Sequence, residues 1–196
     1  NPNTIGIYEK ELCEIIKVVH SRGGLVYMDG ANMNALMGKV RPGDIGVDVM
    51  HLNLHKTFST PHGGGGPGSG PVLVSEQLTP FLPTPIVSKD ESNKYYLNYD
   101  LPNSIGRLKS FYGNFLVNVR AYTYIKEMGG KGLEDVTETA VLNANYIKAS
   151  LKDIFDLPYN TDSLHEVIFT NKNQAEFGIK TIDIAKRLID YGIHPS

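Results

Sequence analysis

The spacing of apolar and polar positions predicts helices and short strands in the order typical of an α/β domain. Apolar residues recur at helical spacing over 8–22, and Gly23 would end that helix. Short apolar runs predict strands at 25–28, 49–54 and 71–75. A wholly apolar strand such as 25–28 is expected in a sheet covered on both faces. The pattern therefore predicts an α/β fold that binds ligands beyond the carboxyl ends of its strands.

The later part of the chain is predicted to be mainly helical. Residues 79–102 are rich in proline and tyrosine and show no clean period, so they are expected to form a long connecting loop. Helical spacing predicts one helix over 115–128, closed by Gly129-Gly130, and a longer one over 133–155.

After Pro158 the pattern changes and indicates the start of a second, smaller α/β domain. Residues 166–170 are predicted to form a strand, and 182–191 a helix. Thr181 would cap that helix at its N-terminus, and Gly192 would end it.

Composition and charge exclude several classes of function. The net charge of −2 and the pI of about 6.3 give no sign of a nucleic-acid partner or a membrane surface. No apolar stretch reaches membrane-spanning length. The single cysteine, Cys13, excludes an internal disulfide and fits a reducing compartment. The chain opens on Asn1 without a methionine and stops just after a helix end, so we expect a fragment of a longer polypeptide.

The most informative segment is 51–62, which places Lys56 among histidines and hydroxyl residues after a predicted strand. The glycine-rich run 63–70 follows at once and suggests that something approaches the main chain closely. A lysine among apolar and hydroxyl neighbours is a candidate Schiff-base amine. Asp29 ends an earlier apolar strand. Either residue alone is ordinarily a surface or turn residue, but together they provide the lysine and the ring-nitrogen acid that pyridoxal phosphate requires.

A metal site is the alternative for the cluster of Asp48, His51, His55 and His62. If 49–54 and the residues after it are extended, His51 and His55 lie roughly 13 Å apart, too far to share an ion. We therefore expect no metal ion here. The glycine run lacks the Gly-Lys-Ser/Thr of a Walker A loop and the helix of a dinucleotide fingerprint.

Longer motifs make the resemblance to one family specific. They are Asn-Pro-Asn-Thr-x-Gly at 1–6, Tyr-Met-Asp-Gly-Ala-Asn-Met-Asn-Ala at 27–35, the segment 43–58 ending in His-Lys-Thr-Phe, Pro-His-Gly-Gly-Gly-Gly-Pro-Gly-Ser-Gly-Pro at 61–71, Gly-Gly-Lys-Gly-Leu at 129–133 and Leu-Asn-Ala-Asn-Tyr at 142–146. The chain resembles the P-protein family of the glycine cleavage system, glycine dehydrogenase (decarboxylating), in its subunit 2 type. The resemblance covers most of the chain.

The resemblance implies a fold type I, aspartate-aminotransferase-like α/β enzyme with pyridoxal 5'-phosphate as cofactor. By carry-over, Lys56 binds the cofactor covalently and Asp29 pairs with its ring nitrogen. Ala31 lies beneath the ring. The remaining implied contacts are His55 and Thr57 with the phosphate and Asn1 with the phenolic oxygen. The implied domains are part of the large cofactor domain at 1–110, connecting helices at 111–160 and the start of the small C-terminal domain at 161–196.

The implied reaction is decarboxylation of glycine, followed by transfer of the aminomethyl group to the lipoyl arm of H-protein. The family's ring-stacking histidine has no counterpart in these residues, so we expect a missing N-terminal half or a partner P-protein subunit, an oligomer, and an isolated chain without activity. The expected location is the cytoplasm, or the mitochondrial matrix in a eukaryote. The alternatives are another fold type I decarboxylase or aldolase, a catalytically inactive structural piece, and the metal-binding domain.

Overall fold

The computed structural model describes residues 3–64, 66 and 68–195. The chain forms two compact units, each described here by itself. One runs from Lys10 to Glu134, and the other combines the residues up to Glu9 with those from Asp135 onward. The division lies within 111–160, the segment expected to hold connecting helices. The predicted three-part domain division remains a prediction.

The first unit is built on a three-stranded mixed sheet in the order β1-β2-β3. Strand β1 (Tyr27–Gly30) pairs in parallel with β2 (Val49–Leu52), so that Asp29 lies opposite His51. Strand β3 (Val72–Val74) runs antiparallel to β2. The three strands were predicted, but β1 begins two residues later than expected and β2 ends at Leu52.

The expectation that both sheet faces are covered is wrong for β1. Its residues alternate between exposed and buried, with Met28 and Gly30 inside and Tyr27 and Asp29 outside. Successive side chains of a strand point to opposite faces, so Tyr27 and Asp29 share the open face. The purely apolar run at 25–28 concealed this alternation because Tyr27 counts as apolar.

The buried face of the sheet packs on helix α1 (Leu12–Ser21). The helix is shorter than the predicted 8–22, and it ends as expected before Gly23, which has a φ of 75°. Its Ile16 is 2% exposed and belongs to the core cluster. The other buried members of that cluster are Met28, Leu36, Val47 and Met50.

A buried carboxylate fastens α1 to the sheet. Asp48 is 5% exposed, and its Oδ2 accepts hydrogen bonds from the Val26 N–H at 2.8 Å and from His20 Nε2 at 2.8 Å. Its Oδ1 accepts one from Gln77 Nε2 at 2.9 Å. The backbone hydrogen bond from Val26, together with His20, holds the pKa of the Asp48 carboxyl below its usual value.

Replacing Asp48 with asparagine is expected to destabilise the chain by about 2 kcal/mol, because buried donors lose a charged acceptor. The folded-state pKa of Asp48 is lowered, so its stabilisation is complete above the unfolded-state pKa of about 3.9 and is lost as the pH falls through the folded-state value. Urea unfolding between pH 7 and pH 3 measures both effects. Asp44→Asn, at a carboxylate that is 62% exposed, is the matched control and should unfold like the wild type.

The expectation of a long loop over 79–102 is wrong. A 3₁₀ helix occupies Glu76–Phe81, and an antiparallel hairpin follows, formed by β4 (Ile86–Lys89) and β5 (Tyr95–Asn98). Its turn is closed by Asp90, whose Oδ1 accepts the N–H groups of Ser92 and Lys94. The exposed face of the hairpin carries Val87, Tyr95 and Leu97, so its apolar residues do not follow burial and show no clean hydrophobic period.

The two predicted helices over 115–128 and 133–155 form one bent helix, α3 (Phe115–Leu151). The bend is at Gly129, whose φ of 61° and ψ of −178° are not helical. The predicted break is therefore in the right place, although the chain resumes its helix at once. Among the described residues, no helix combines the length and the apolar character that a membrane span needs.

The second unit contains the C-terminal part of α3, the short α4 (Lys172–Ala175) and α5 (Thr181–Asp190). Helix α5 and its end near Gly192 confirm the prediction, with Thr181 as the first helical residue rather than the cap. The predicted strand over 166–170 does not form; only Thr170 makes an isolated bridge, to Asp156. The apolar side chains of Val167, Ile168 and Phe169 instead line a cavity of about 400 Å³.

Candidate active site

Two parallel strands deliver Asp29 and Lys56 to one edge of the sheet. Asp29 is the third residue of β1, which ends at Gly30. Strand β2 ends at Leu52, and the chain passes through Asn53 into the one-turn helix α2 (Leu54–Thr57), which carries Lys56. Because β1 and β2 are parallel neighbours, their carboxyl ends meet at the same edge. The structure therefore places both predicted residues where α/β enzymes bind ligands.

The Asp29 side chain is 71% exposed, and one of its oxygens is already engaged. Oδ1 accepts the Ala31 N–H at 2.8 Å and lies 3.5 Å from His51 Nε2. Among the described residues, Oδ2 receives no hydrogen bond from the protein. Asp29 therefore offers one carboxylate oxygen to a ligand, and Ala31, which is half-buried, follows it directly in the loop.

Lys56 and His55 present their side chains differently. The Lys56 side chain is exposed, so it does not lie among apolar neighbours as its sequence context suggested. His55 is half-buried, and its ring meets that of His62 edge to face, with 5.1 Å between ring centroids. His55 Nδ1 is buried and has no hydrogen-bond partner in the part of the chain that the structure describes. A buried ring nitrogen normally has a hydrogen-bond partner, so His55 Nδ1 is left to bond a ligand.

Thr57 is buried, and its hydroxyl holds the scaffold together. Thr57 Oγ1 accepts the Met33 N–H at 2.9 Å and so ties the loop after β1 to α2. Its predicted contact with a phosphate remains a prediction, as do the roles of Ala31 and His55. Asn1, the other predicted contact, lies outside the described residues.

The glycine-rich run returns the chain to the sheet at very close range. A Cβ on Gly70 would lie 2.2 Å from the Leu52 carbonyl oxygen, so only glycine fits there. Next to it, the N–H groups of Leu52 and Leu54 donate to the carbonyls of Pro71 and Ser69. The close approach that the sequence suggested is therefore one between two protein segments, at the end of β2.

Local sequence patterns did not predict the three polar side chains that hold this part of the chain, one just before α3 (Asn114) and two within it (Asn118 and Arg120). Arg120 Nε donates to the Ser59 carbonyl at 2.9 Å, in the segment just before the run. Asn114 Nδ2 donates to the Gly68 carbonyl at 2.8 Å, and the Ser69 hydroxyl donates to Asn118 Oδ1 at 2.8 Å. These partners are 46–61 residues apart in sequence, so local patterning cannot reveal them. A cavity of about 400 Å³ lies beside them, lined by Leu54, Ser69, Tyr112, Asn118, Tyr122 and Ile125.

The cluster considered for a metal is dispersed. Asp48 is bound to His20, His51 faces Asp29, and His55 lies in α2 rather than on the strand. The extended-strand distance between His51 and His55 therefore does not apply. Among the described residues, no three His, Cys, Asp or Glu side chains are grouped to hold a metal ion.

Comparison with known proteins gives the family. A family model described as "Glycine dehydrogenase, C-terminal domain" matches residues 136–196. The probable glycine dehydrogenase (decarboxylating) subunit 2 of Staphylococcus saprophyticus is 60% identical over 195 residues. The same-named protein of Staphylococcus epidermidis is 58% identical over 195 residues. The chain belongs to the glycine dehydrogenase (decarboxylating) family. The matches to these two Staphylococcus proteins each cover 100% of the chain, and the chain spans 39% of their length.

Solved structures show the fold. A glycine decarboxylase (P-protein) of the glycine cleavage system, in inhibitor-bound form, matches with a TM-score of 0.76 at 20% identity, over 99% of the chain and 45% of that structure. Glutamate decarboxylase from Lactobacillus brevis matches with a TM-score of 0.61 at 14% identity, over 97% of the chain and 44% of that structure. The fold is that of the fold type I enzymes, which confirms the predicted fold class. The predicted family is likewise confirmed.

Proposed function

We propose that this member of the glycine dehydrogenase family forms part of a pyridoxal-phosphate site that decarboxylates glycine. The observation that carries the proposal is the placement of Asp29 at the carboxyl end of β1 and of Lys56 in the helix that directly follows the carboxyl end of the parallel neighbour β2. The names of the relatives support glycine as the substrate. In the complete reaction the aminomethyl group would pass to one sulfur of the lipoyl arm of H-protein, and the other sulfur would leave as a thiol.

The described residues fit pyridoxal phosphate. The exposed Lys56 amine can hold the cofactor covalently, and the open Oδ2 of Asp29 can accept a hydrogen bond from the protonated ring nitrogen. The unpartnered Nδ1 of His55 is a polar group for the phosphate. Bound pyridoxal phosphate supplies the electron sink for the electron pair left when carbon dioxide departs.

The residues of this chain have separate tasks in that reaction. Lys56 would hold the cofactor covalently, and its amine could exchange protons with the substrate amine. Asp29 would keep the proton on the ring nitrogen, because a negatively charged carboxylate stabilises the cationic form of the ring and a neutral group does not. Thr57 holds the two segments that carry Asp29 and Lys56 at a fixed separation through its bond to Met33.

Partner proteins belong to the same proposal. The relatives are named subunit 2, which supports a partner subunit, and the expected oligomer fits that name. The cavity beside the glycine-rich run, with Tyr112, Tyr122 and Ile125 in its lining, is a suitable approach for the apolar part of a lipoyl arm. We assign the sheet unit to the large cofactor domain and the unit with α5 to the start of the small domain. The cytoplasm, or the matrix of a mitochondrion, is the proposed location.

The test is an assay of the complete enzyme that contains this chain, with pyridoxal phosphate and lipoylated H-protein. Carboxyl-labelled glycine should release labelled carbon dioxide, and the release should depend on H-protein. Labelled glutamate is the control substrate, because a glutamate decarboxylase shares the fold. Release from glutamate but not from glycine would favour another fold type I decarboxylase, and release from neither would favour a structural role.

A further inference from the structure

Three polar side chains form a row on the open face of the sheet. Tyr27 and Asp29 are two residues apart on β1, so they point to the same face. His51 lies on β2 directly opposite Asp29 in the parallel register. The Tyr27 hydroxyl is hydrogen-bonded to His51 Nδ1, and His51 Nε2 lies 3.5 Å from Asp29 Oδ1. We call these residues the Tyr27–His51–Asp29 row.

The tyrosine determines which histidine nitrogen faces the aspartate as a donor. A phenol is the natural donor to an unprotonated ring nitrogen, so Tyr27 directs the hydrogen of a neutral His51 to Nε2. That N–H then points towards Asp29 Oδ1. The two rings also stack, with 5.8 Å between centroids and an interplanar angle of 13°, which restricts rotation of the imidazole.

Asp29 requires such support because it is exposed. A carboxylate that is 71% exposed has little packing to fix its side-chain rotation. The Ala31 N–H holds Oδ1 from one side at 2.8 Å, and His51 faces the same oxygen across the strands. The distance of 3.5 Å is long for a hydrogen bond, so the contribution of His51 is mainly electrostatic orientation.

We propose that Tyr27 and His51 are positioning residues that hold Asp29 with its Oδ2 directed to the ring nitrogen of the cofactor. The proposal rests on the proposed function, since it needs pyridoxal phosphate beside Asp29. It assigns no proton transfer to His51 or Tyr27. Their effect reaches the cofactor only through the orientation of the Asp29 carboxylate.

The test compares two ligands in the complete enzyme: pyridoxal phosphate and its 1-deaza analogue, which has carbon in place of the ring nitrogen. Tyr27→Phe removes only the hydroxyl and should weaken pyridoxal phosphate binding about threefold to tenfold. His51→Ala should weaken it about tenfold, and His51→Gln, which restores an N–H donor, should recover most of that loss. Binding of the deaza analogue should stay unchanged in all three variants, because it makes no ring-nitrogen contact.

Tyr95→Phe, at an exposed tyrosine of the β4–β5 hairpin, is the matched control and should bind both ligands like the wild type. Equal losses for both ligands would show that the row only stabilises the sheet, and would overturn the proposal. Unchanged pyridoxal phosphate binding in both Tyr27→Phe and His51→Ala would also overturn the proposed role of the row. In that case the proposed function would still stand, because the wild-type enzyme binds pyridoxal phosphate. A wild-type enzyme that binds no pyridoxal phosphate would refute the proposed function, and the role of the row with it.

Discussion

Replacing Lys56 with alanine is expected to lower glycine decarboxylation by the complete enzyme at least about a thousandfold. Alanine has no amine, so the cofactor would have no covalent attachment and no lysine to exchange protons with the substrate amine. Carbon dioxide release from carboxyl-labelled glycine measures the rate. Pyridoxal phosphate retained after gel filtration measures the attachment, and it should fall together with activity.

Lys94→Ala is the matched control for this prediction. Lys94 is an exposed lysine in the turn of the hairpin, outside the proposed site, so its replacement should leave both measurements at the wild-type level. A Lys56→Ala enzyme that keeps its cofactor through gel filtration and turns over within tenfold of the wild type would remove Lys56 from the proposed site.

Asp29→Asn is expected to slow carbon dioxide release by about a hundredfold to a thousandfold, while the cofactor stays attached to Lys56. Asparagine has the same shape and can still accept the Ala31 N–H through its Oδ1. It has no negative charge to keep the ring nitrogen protonated, so the ring withdraws electrons less strongly. Single-turnover release of labelled carbon dioxide, compared with the absorbance of the lysine-bound cofactor, separates the rate of reaction from binding.

The control is again Asp44→Asn, since Asp44 is an exposed carboxylate in the same unit that makes a surface ion pair with Arg41. It should change neither quantity. Turnover of Asp29→Asn at more than a third of the wild-type rate would contradict the role of Asp29. Loss of the cofactor together with activity would indicate that Asp29 serves binding rather than the electron sink.

The sequence was sufficient for the parts of the site that local patterns determine. Short strands followed by polar residues predicted that Asp29 and Lys56 lie at strand ends, and the structure brings both to one edge of the sheet. The motif around His55-Lys56-Thr57 was sufficient to predict the family, because it combines several uncommon neighbouring residues in a fixed order. Helix ends at Gly23 and Gly192 were predictable because glycine readily adopts a positive φ.

The other parts of the fold and of the candidate site depend on pairing between segments that are distant in sequence. His51 became relevant only when the parallel register placed it opposite Asp29. Arg120 reaches Ser59 across 61 residues, and no local period encodes that contact. The predicted strand over 166–170 failed for the same reason: a strand needs a neighbour, and only Thr170 has one.

The most direct measurement of the central claim is the identity of the lysine that carries the cofactor. The complete enzyme is loaded with pyridoxal phosphate, reduced with borohydride, digested and analysed by peptide mass spectrometry. The account predicts a single labelled peptide with the pyridoxyl group on Lys56, and no label at that position when the deoxy analogue of the cofactor, which lacks the aldehyde oxygen, is used instead. A label on another lysine of this chain, such as Lys39 or Lys89, would contradict it.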